Sequence, residues 1–234
     1  MRLVLWDIDG TLLDSAGHGR EAFGVAFERT VGRPPTRLPR MAGRTDHDIA
    51  LETLAVNGVD DGERLWPEFA GALAEALSER AEPMRRDGHA RAGAHTALAA
   101  MASVDGVVQS VLTGNLQANA ATKLKAFGLV EHLDLAVGAY GSDDRERSEL
   151  VAIARGRARA AHDDEPAETV LVGDTPLDVA AGRSAGARVV GVATGPHSVD
   201  ELVEARAEPV LSDLRDTEAV LDAVLGARPE AVAR

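Results

Sequence analysis

The chain has 234 residues, of which 45% are hydrophobic and 3% aromatic, and it carries a formal net charge of −13. It contains no cysteine, which excludes disulfides, thiolate catalysis and cysteine-ligated metal sites. The acidic charge argues against nucleic acid or an anionic membrane as a partner, and no apolar run approaches the roughly 20 residues that span a bilayer. We therefore expect a soluble cytoplasmic protein, a monomer or a homodimer, whose partner is a small molecule.

Predicted strands and helices alternate along most of the chain. Six short apolar runs, bounded by glycine, aspartate or threonine, predict buried strands at residues 3–6, 107–112, 133–138, 169–173, 187–193 and 209–213. Stretches with helical periodicity separate them, at residues 95–103, 115–128, 150–160, 177–186 and 216–226. This alternation predicts an α/β fold with a Rossmann-like parallel sheet flanked by helices. The last eight residues, 227–234, are predicted to be a frayed tail.

Residues 15–88 interrupt this alternation. They contain no predicted strand but three helical patterns, at residues 19–32, 45–58 and 67–81. Thr45 and Asp48 have the spacing of a helix capping box, with aspartate in place of the usual glutamate. We predict that residues 15–88 form an inserted helical cap, and that residues 1–14 and 89–234 together form the α/β core.

Polar residues follow three of the predicted strands. They are Asp7 to Thr11 after the first strand, Thr113-Gly114-Asn115 after the second, and Gly173-Asp174 with the nearby Asp178 after the fourth. Ligands bind at the carboxyl ends of the strands in an open parallel sheet. These polar groups are therefore expected to meet at one rim of the sheet.

The acids among these residues predict a metal site and a phosphoryl-transfer site. Asp7 and Asp9 are two positions apart, so both carboxyl groups can face the same crevice. Together with Asp174 and Asp178 they bring four carboxylates to one cleft, which suits a hard divalent cation such as Mg²⁺. Aspartate can also act as a nucleophile that becomes phosphorylated, while a second acid protonates the leaving oxygen and then activates water.

A cradle for phosphate is predicted beside the acids. Gly10 lets backbone N–H groups approach a ligand closely, and Thr113 offers a hydroxyl. Gly114 and Asn115 offer backbone amides at the start of a helix, where an anion is favoured. These four residues are the predicted phosphate contacts.

The motifs "DIDGT", "TGN" and "GDTPLD" resemble, in the same order, those of the haloacid dehalogenase-like (HAD) superfamily of phosphohydrolases. The resemblance implies Asp7 as nucleophile and metal ligand, and Asp9 as general acid and base with its backbone carbonyl on Mg²⁺. It implies Thr113 as a phosphate ligand and Asp174 as a second metal ligand, with Asp178 supporting the metal. Dehalogenases of this superfamily lack the second aspartate of the first motif, so Asp9 argues against carbon–halogen chemistry.

The family's third motif, a lysine or arginine that often precedes proline, is missing in its usual form. The corresponding region reads "GSDDRERSEL", where Arg145 and Arg147 are candidates and Arg147 fits the spacing slightly better. Lys123, on the helix after Thr113, is the other candidate, because a lysine there takes over this role in some relatives. We favour Lys123 as the catalytic cation and keep Arg147 as a phosphate-binding alternative.

The helical insert resembles the small cap of phosphoglycolate phosphatase-like and β-phosphoglucomutase-like members. The stretch "MAGRTDHDI" lies where these caps carry a substrate-facing loop, which implies that Arg44, Thr45 and His47 contact the substrate. The sequence thus predicts a Mg²⁺-dependent phosphatase that hydrolyses a small, phosphoglycolate-like phosphomonoester through an aspartyl-phosphate intermediate. A sugar phosphomutase and a catalytically silent binding protein of the same fold are the alternatives.

Overall fold

The chain forms eight strands and ten helices within residues 1–226, the part that the computed structural model describes. The strands are β1 (Arg2–Trp6), β2 (Leu13–Asp14), β3 (His89–Ala90), β4 (Val107–Thr113), β5 (Ala139–Tyr140), β6 (Glu168–Gly173), β7 (Arg188–Val192) and β8 (Val210–Leu211). The helices are α1 (His18–Val31), α2 (Asp46–Val56), α3 (Gly62–Glu79), α4 (Ala81–Asp87), α5 (Ala94–Ala102), α6 (Gln117–Ala126), α7 (Arg147–His162), α8 (Pro176–Ser184), α9 (Val199–Glu204) and α10 (Thr217–Leu225). No helix in these residues is both long enough and apolar enough to cross a membrane. The predicted frayed tail, residues 227–234, lies outside the described residues.

Six strands form one parallel sheet in the order β5-β4-β1-β6-β7-β8. The central strand is β1, where Trp6 is paired with Val111 of β4 and with Val172 of β6. Buried apolar side chains cover both faces, because the central strands are nearly continuous apolar runs. Helices α5, α6 and α10 pack on one face, and α7, α8 and α9 pack on the other. The predicted parallel α/β fold is therefore confirmed.

The strand predicted at residues 133–138 is wrong. These residues form turns, and the edge strand β5 consists of the two residues that follow them. Asp134 explains the difference, because its carboxylate accepts a hydrogen bond from the N–H of Ala136 (3.0 Å) and turns the backbone away from an extended conformation. The other five predicted strands agree with the structure to within two residues at each end.

Helices α1 to α4 follow one another between the short strands β2 and β3. These two strands pair antiparallel, Leu13 with Ala90 and Asp14 with His89, and were not predicted because two residues give no detectable alternation. The four helices form an apolar cluster of their own. The β2–β3 pair lies at the predicted boundaries between core and cap, although the division into two domains stays a prediction.

Candidate active site

The carboxyl ends of three neighbouring strands form one wall of a cavity. Asp7 follows β1, Thr113 ends β4 and Asp174 follows β6, and β1 lies between the other two strands. The cavity has a volume of about 450 Å³, and helices α1, α2 and α3 contribute to its opposite wall. The predicted site residues that line it are Asp7, Asp9, Gly10, Arg44, Thr113, Gly114, Asn115, Lys123, Arg147 and Asp174.

Three buried acids converge at this wall. Asp7, Asp174 and Asp178 each place one carboxylate oxygen within 4.8 Å of the other two. Thr11 Oγ1 donates to Oδ1 of Asp174 (2.9 Å), whereas Oδ2 of Asp174 is buried and accepts no hydrogen bond from the described residues. An unpartnered buried carboxylate oxygen is unfavourable unless a cation or a proton satisfies it.

Two glycines leave space around the free oxygen of Asp174. A Cβ atom at Gly10 or at Gly195 would overlap Oδ2 of Asp174. Gly10 also has a φ of +89°, a conformation that residues with a side chain rarely adopt. The converging acids, the free oxygen and the space beside it fit a small, hard cation with oxygen ligands, and Mg²⁺ is such a cation.

Burial raises the pKa of two acids of the three-acid cluster, Asp7 and Asp174. It raises the pKa of Asp7 to about 7; the nearby Arg147 opposes this rise, and the charge of Asp178 adds to it. Burial, followed by the charge of Asp7, also raises the pKa of Asp174 well above its ordinary value. Asp7 and Asp174 therefore retain protons at a pH where exposed carboxylates are ionised, and a bound cation would displace these protons.

Arg147 reaches the three-acid cluster from the start of α7. It is buried, and its Nη2 donates to Oδ1 of Asp7 (2.8 Å) and to Oδ1 of Asp178 (2.5 Å). Burial alone would lower the pKa of Arg147, but the carboxylates of Asp178 and Asp7 raise it above its ordinary value. Arg145 does not reach the cluster, because its side chain is half exposed and bound to Asp48 (3.0 Å).

Asp9 lies in surroundings that differ from those of Asp7. Its carboxylate accepts hydrogen bonds from Lys123 Nζ (2.6 Å) and Asn115 Nδ2 (2.7 Å), and its side chain is 40% exposed. Lys123 is buried on α6 and also donates to Oδ1 of Asn115 (2.6 Å), and Asn115 donates in turn to Oγ1 of Thr113 (2.7 Å). Three carboxylates, rather than the expected four, thus converge on one point, and the fourth pairs with Lys123.

The loop before α2 brings Arg44 to the cavity but not Thr45. The guanidinium of Arg44 is bound by the carboxylates of Asp48 (2.6 Å) and Glu52 (2.5 Å). Thr45 caps α2, because its Oγ1 accepts a hydrogen bond from the N–H of Asp48 (3.3 Å). The predicted capping box is only half formed, because the carboxylate of Asp48 is bound by Arg44 and Arg145. The same hydroxyl donates to the backbone oxygen of Arg145 (2.9 Å). The hydroxyl of Thr45 therefore connects the start of α2 to the loop before α7 and does not line the cavity.

His47 does not reach the cavity either. Its ring stacks on Trp66, with the centroids 4.2 Å apart and the planes 10° apart, and its Nε2 lies 3.2 Å from Glu63. Neighbouring positions of a helix are rotated by about 100°, so they face different directions. The residue before it, Asp46, is the one that lines the cavity.

Asp46 is a cavity residue that the sequence analysis missed. Its Oδ2 accepts hydrogen bonds from the N–H of Leu116 (2.8 Å) and from Nδ2 of Asn119 (3.2 Å), while its own N–H donates to the oxygen of Gly114 (2.7 Å). Burial raises its pKa to about 6, although the charge of Lys123 acts to lower it. The helix dipole by itself favours an acid in the first turn of a helix. Only these tertiary contacts therefore distinguish Asp46 from an ordinary acid at a helix start.

The chain matches a family model and named relatives over most of its length. Residues 4–183 match the model of the family described as haloacid dehalogenase-like hydrolase. The chain is 28% identical over 222 residues to validoxylamine A 7'-phosphate phosphatase of Streptomyces hygroscopicus subsp. limoneus, which covers 92% of this chain and 95% of that protein. It is 27% identical over 229 residues to "Probable phosphatase IndB" of Dickeya dadantii (strain 3937), which covers 95% of this chain and 94% of that protein.

A solved structure shares the fold. The crystal structure of a hydrolase from Pseudomonas syringae matches with a TM-score of 0.71 at 21% identity, covering 97% of this chain and 100% of that chain. The family match spans the strands that carry Asp7, Thr113 and Asp174 at their carboxyl ends. The chain therefore belongs to the haloacid dehalogenase-like hydrolase family, as its three motifs predict.

Proposed function

We propose that the protein is a Mg²⁺-dependent phosphatase that hydrolyses a small phosphomonoester through an aspartyl phosphate on Asp7. The observation that carries this proposal is the convergence of Asp7, Asp174 and Asp178 beside an open cavity, with one buried oxygen of Asp174 left free. The family and the two similar proteins named as phosphatases support the same class of reaction.

The three-acid cluster is the proposed metal site. Asp7 and Asp174 would hold the ion directly, together with the backbone carbonyl of Asp9, and Asp178 would support them. When bound, Mg²⁺ supplies positive charge that offsets the acids and attracts the phosphate. Arg147 offsets part of the same negative charge through its contacts with Asp7 and Asp178.

Asp7 is the proposed nucleophile and Asp9 the proposed general acid and base. A carboxylate oxygen of Asp7 bonds to phosphorus while the bond from phosphorus to the leaving oxygen breaks, and Asp9 gives that oxygen a proton. Asp9 then takes a proton from water, whose oxygen attacks the same phosphorus and releases phosphate from Asp7. Lys123, 2.6 Å from the carboxylate of Asp9, positions this group and offsets its charge when it is ionised.

The predicted phosphate contacts are proposed to hold the transferred group. Gly10, Thr113, Gly114 and Asn115 all line the cavity. Thr113 Oγ1 accepts a hydrogen bond from Asn115, which leaves its own proton available for a phosphate oxygen. Most of the rate acceleration is expected from such positioning and from charge compensation, because phosphoryl transfer depends mainly on these two factors.

Residues 15–88 are proposed as a cap that covers the phosphate and excludes water from it. Phosphoglycolate is the candidate substrate implied by the resemblance of this insert, and Arg44 is the one predicted cap contact that lines the cavity. Thr45 and His47 are then indirect contributors, through the capping of α2 and the stack on Trp66.

Release of inorganic phosphate from acetyl phosphate and p-nitrophenyl phosphate, with Mg²⁺ or with a chelator, tests the proposal. We expect Mg²⁺-dependent release by the wild-type protein and none by Asp7→Asn, because an amide cannot form the phosphorylated intermediate. Asp60→Asn, a change of an exposed acid with the same loss of charge, is the control. Turnover by Asp7→Asn at the wild-type rate would refute the proposal. A phosphomutase would release little free phosphate, and a silent binding protein would release none.

A further inference from the structure

Helix α6 is a part of the core against which the helical insert, residues 15–88, packs. Leu116, which directly precedes α6, is buried within the apolar cluster that helices α1 to α4 form. Ala126, the last residue of α6, and Phe127 pack against the same cluster. The insert therefore contacts α6 at both of its ends.

The start of α6 is capped by a side chain of the insert. Leu116, at the N-cap position, provides no side-chain cap of its own. Instead its N–H donates to Oδ2 of Asp46 (2.8 Å), and Nδ2 of Asn119, in the first turn of α6, donates to the same oxygen (3.2 Å). The first N–H groups of a helix have no partner within the helix, and a carboxylate beside them also interacts favourably with the helix dipole. Asp46 thus stabilises the start of α6 only while α2 lies on it.

Gly114 allows the backbone of the insert to approach this end of α6. A Cβ atom at Gly114 would overlap the backbone oxygen of Arg44. The oxygen of Gly114 also accepts a hydrogen bond from the N–H of Asp46 (2.7 Å). Any side chain at position 114 would displace the loop before α2, so this glycine helps to place the insert in addition to its proposed contact with phosphate.

The residues that bind Asp9 are also carried by α6 and the turn before it. Nδ2 of Asn115 donates to the carboxylate of Asp9 at 2.7 Å, and Nζ of Lys123 donates to it at 2.6 Å. Lys123 donates to Oδ1 of Asn115 as well (2.6 Å), so the two donors hold each other in place. A shift of the first turn of α6 would therefore move both donors relative to Asp9.

We propose that Asp46 is a positioning residue for the carboxylate of Asp9. It caps α6 from the insert and thereby holds Asn115 and Lys123, the two donors that fix this carboxylate, in place. The inference rests on the proposed function, in which Asp9 transfers the proton. Asp46 then acts on the reaction through the core and not through a contact with the leaving group, although it lines the cavity.

Substitutions of Asp46 test the cap directly. Asp46→Ala removes the acceptor, so the amide of Leu116 should exchange with solvent at least about tenfold faster and kcat/KM should fall severalfold. Asp46→Asn keeps an acceptor oxygen and should recover most of both. Asp60→Ala, which removes an exposed acid of the insert, is the control and should change neither. A Leu116 amide that stays protected in Asp46→Ala would overturn the inference.

Protected amides in β1 show whether the alanine variant is folded. Should Asp46→Ala fail to fold, Gly114→Ala separates Asp46 from Leu116 by displacing the loop before α2, and the same fast exchange is expected of it. Slow exchange in that variant would count against the cap in the same way.

Two esters distinguish a positioning role from a contact with the substrate. Phenyl phosphate and p-nitrophenyl phosphate have similar shapes, but phenol is the weaker acid, so its departure depends more on the proton from Asp9. Asp46→Ala should therefore lose more kcat/KM with phenyl phosphate, in the same direction as Asp9→Asn. Added to Asp9→Asn, it should cause little further loss, because both changes affect one group. Equal losses with the two esters, or losses that add in the double variant, would overturn the inference.

The wild-type protein separates this inference from the proposed function. If it hydrolyses the esters with Mg²⁺ and Asp46→Ala is equally active, the inference alone is overturned. If the wild-type protein hydrolyses neither ester, the proposed function fails, and the role of Asp46 toward Asp9 fails with it.

Discussion

Asp7 and Asp9 are the same residue type, two positions apart, but their surroundings differ. Asp7 is buried against Arg147 and two further acids, whereas Asp9 is 40% exposed and bound to Lys123 and Asn115. Two carboxylates in different environments are the usual basis for dividing a reaction between a nucleophile and an acid. This difference supports the proposed division, in which Asp7 binds the metal and Asp9 transfers the proton.

Asp9→Asn is expected to remove most of the rate and to leave Mg²⁺ binding nearly intact. The carboxylate of Asp9 lies outside the three-acid cluster, while the loss of a general acid typically slows a reaction by about 10² to 10⁴. Phosphate release and calorimetric titration with Mg²⁺ measure the two effects, and Asp60→Asn again serves as control. A variant that loses Mg²⁺ binding and activity in parallel would show that Asp9 acts through its carboxylate at the metal.

The sequence alone could not identify which cation replaces the missing third motif. Spacing alone left Arg147 and Lys123 as alternatives, and the structure brings both to the site. Arg147 contacts Asp7 and Asp178, and Lys123 contacts Asp9. Spacing along the chain cannot show this, because Lys123, in the last turn of α6, and Arg147, at the start of α7, reach the acids from two different helices.

At the scale of elements, one short segment connects α2 to the sheet. The N–H of Asp46 donates to Gly114, Thr45 Oγ1 donates to the backbone of Arg145, and the carboxylate of Asp48 pairs with the same Arg145 at 3.0 Å. Gly114 belongs to the proposed phosphate cradle. The position of α2 and the geometry of the cradle are therefore coupled.

Arg145→Ala is expected to loosen this connection without unfolding the protein. The ion pair with Asp48 is half exposed, so its loss should change the free energy of unfolding by less than about 1 kcal/mol. KM should rise severalfold and the amide of Leu116 should exchange faster, because the segment that covers it is held less firmly. Arg85→Ala, which breaks an exposed pair with Glu82, is the control. Unchanged KM and unchanged exchange would contradict the coupling.

The elements that were predicted correctly are those whose structure is determined by the local sequence. The strands around Trp6 and Val172 are continuous apolar runs, and such runs identify buried parallel strands by themselves. The prediction of a strand at residues 133–138 was wrong because the carboxylate of Asp134 accepts a backbone hydrogen bond and stabilises a turn within a similarly apolar run. His47 was assigned to the cavity because its stretch resembles the substrate-facing loop of related caps, and only the helical rotation of α2 shows otherwise.

At the scale of the whole molecule, the buried carboxylate of Asp46 lowers the free energy of unfolding when it is ionised. Asp46 is buried, and its pKa of about 6 lies above the ordinary value of 3.8. The folded protein thus binds more protons than the unfolded chain between about pH 4 and pH 6. The contribution of Asp46 to the free energy of unfolding therefore falls as pH rises through this window, and it stays unfavourable at neutral pH.

Asp46→Asn should consequently be more stable than the wild type at pH 7, by roughly 1–3 kcal/mol, and equal to it near pH 4. The amide oxygen of asparagine can accept the same hydrogen bonds from Leu116 and Asn119, so only the charge is removed. Denaturant unfolding of both proteins at several pH values measures the difference. Two stability curves that run parallel from pH 4 to pH 7 would contradict this assignment.

The sequence predicted the sheet and the acid motifs well, but it predicted the substrate pocket poorly. A parallel sheet gathers its strand ends at one edge, so Asp7, Thr113 and Asp174 could be placed together in advance. The pocket is formed by side chains from helices far apart in the chain, such as Asp46 and Asn119. Their contacts depend on how α2 lies on α6, for which no short motif exists.

Because Lys123 is buried, the chemical reactivity of its amine reports how accessible the cavity is to solvent. The chain contains two lysines, Lys123 and Lys125, and only Lys125 is exposed. Reagents that acylate amines should therefore label Lys125 readily and spare its neighbour while the cavity stays covered. The ratio of the two labels, read from a single peptide, would then follow how often residues 15–88 lift away from the sheet during turnover.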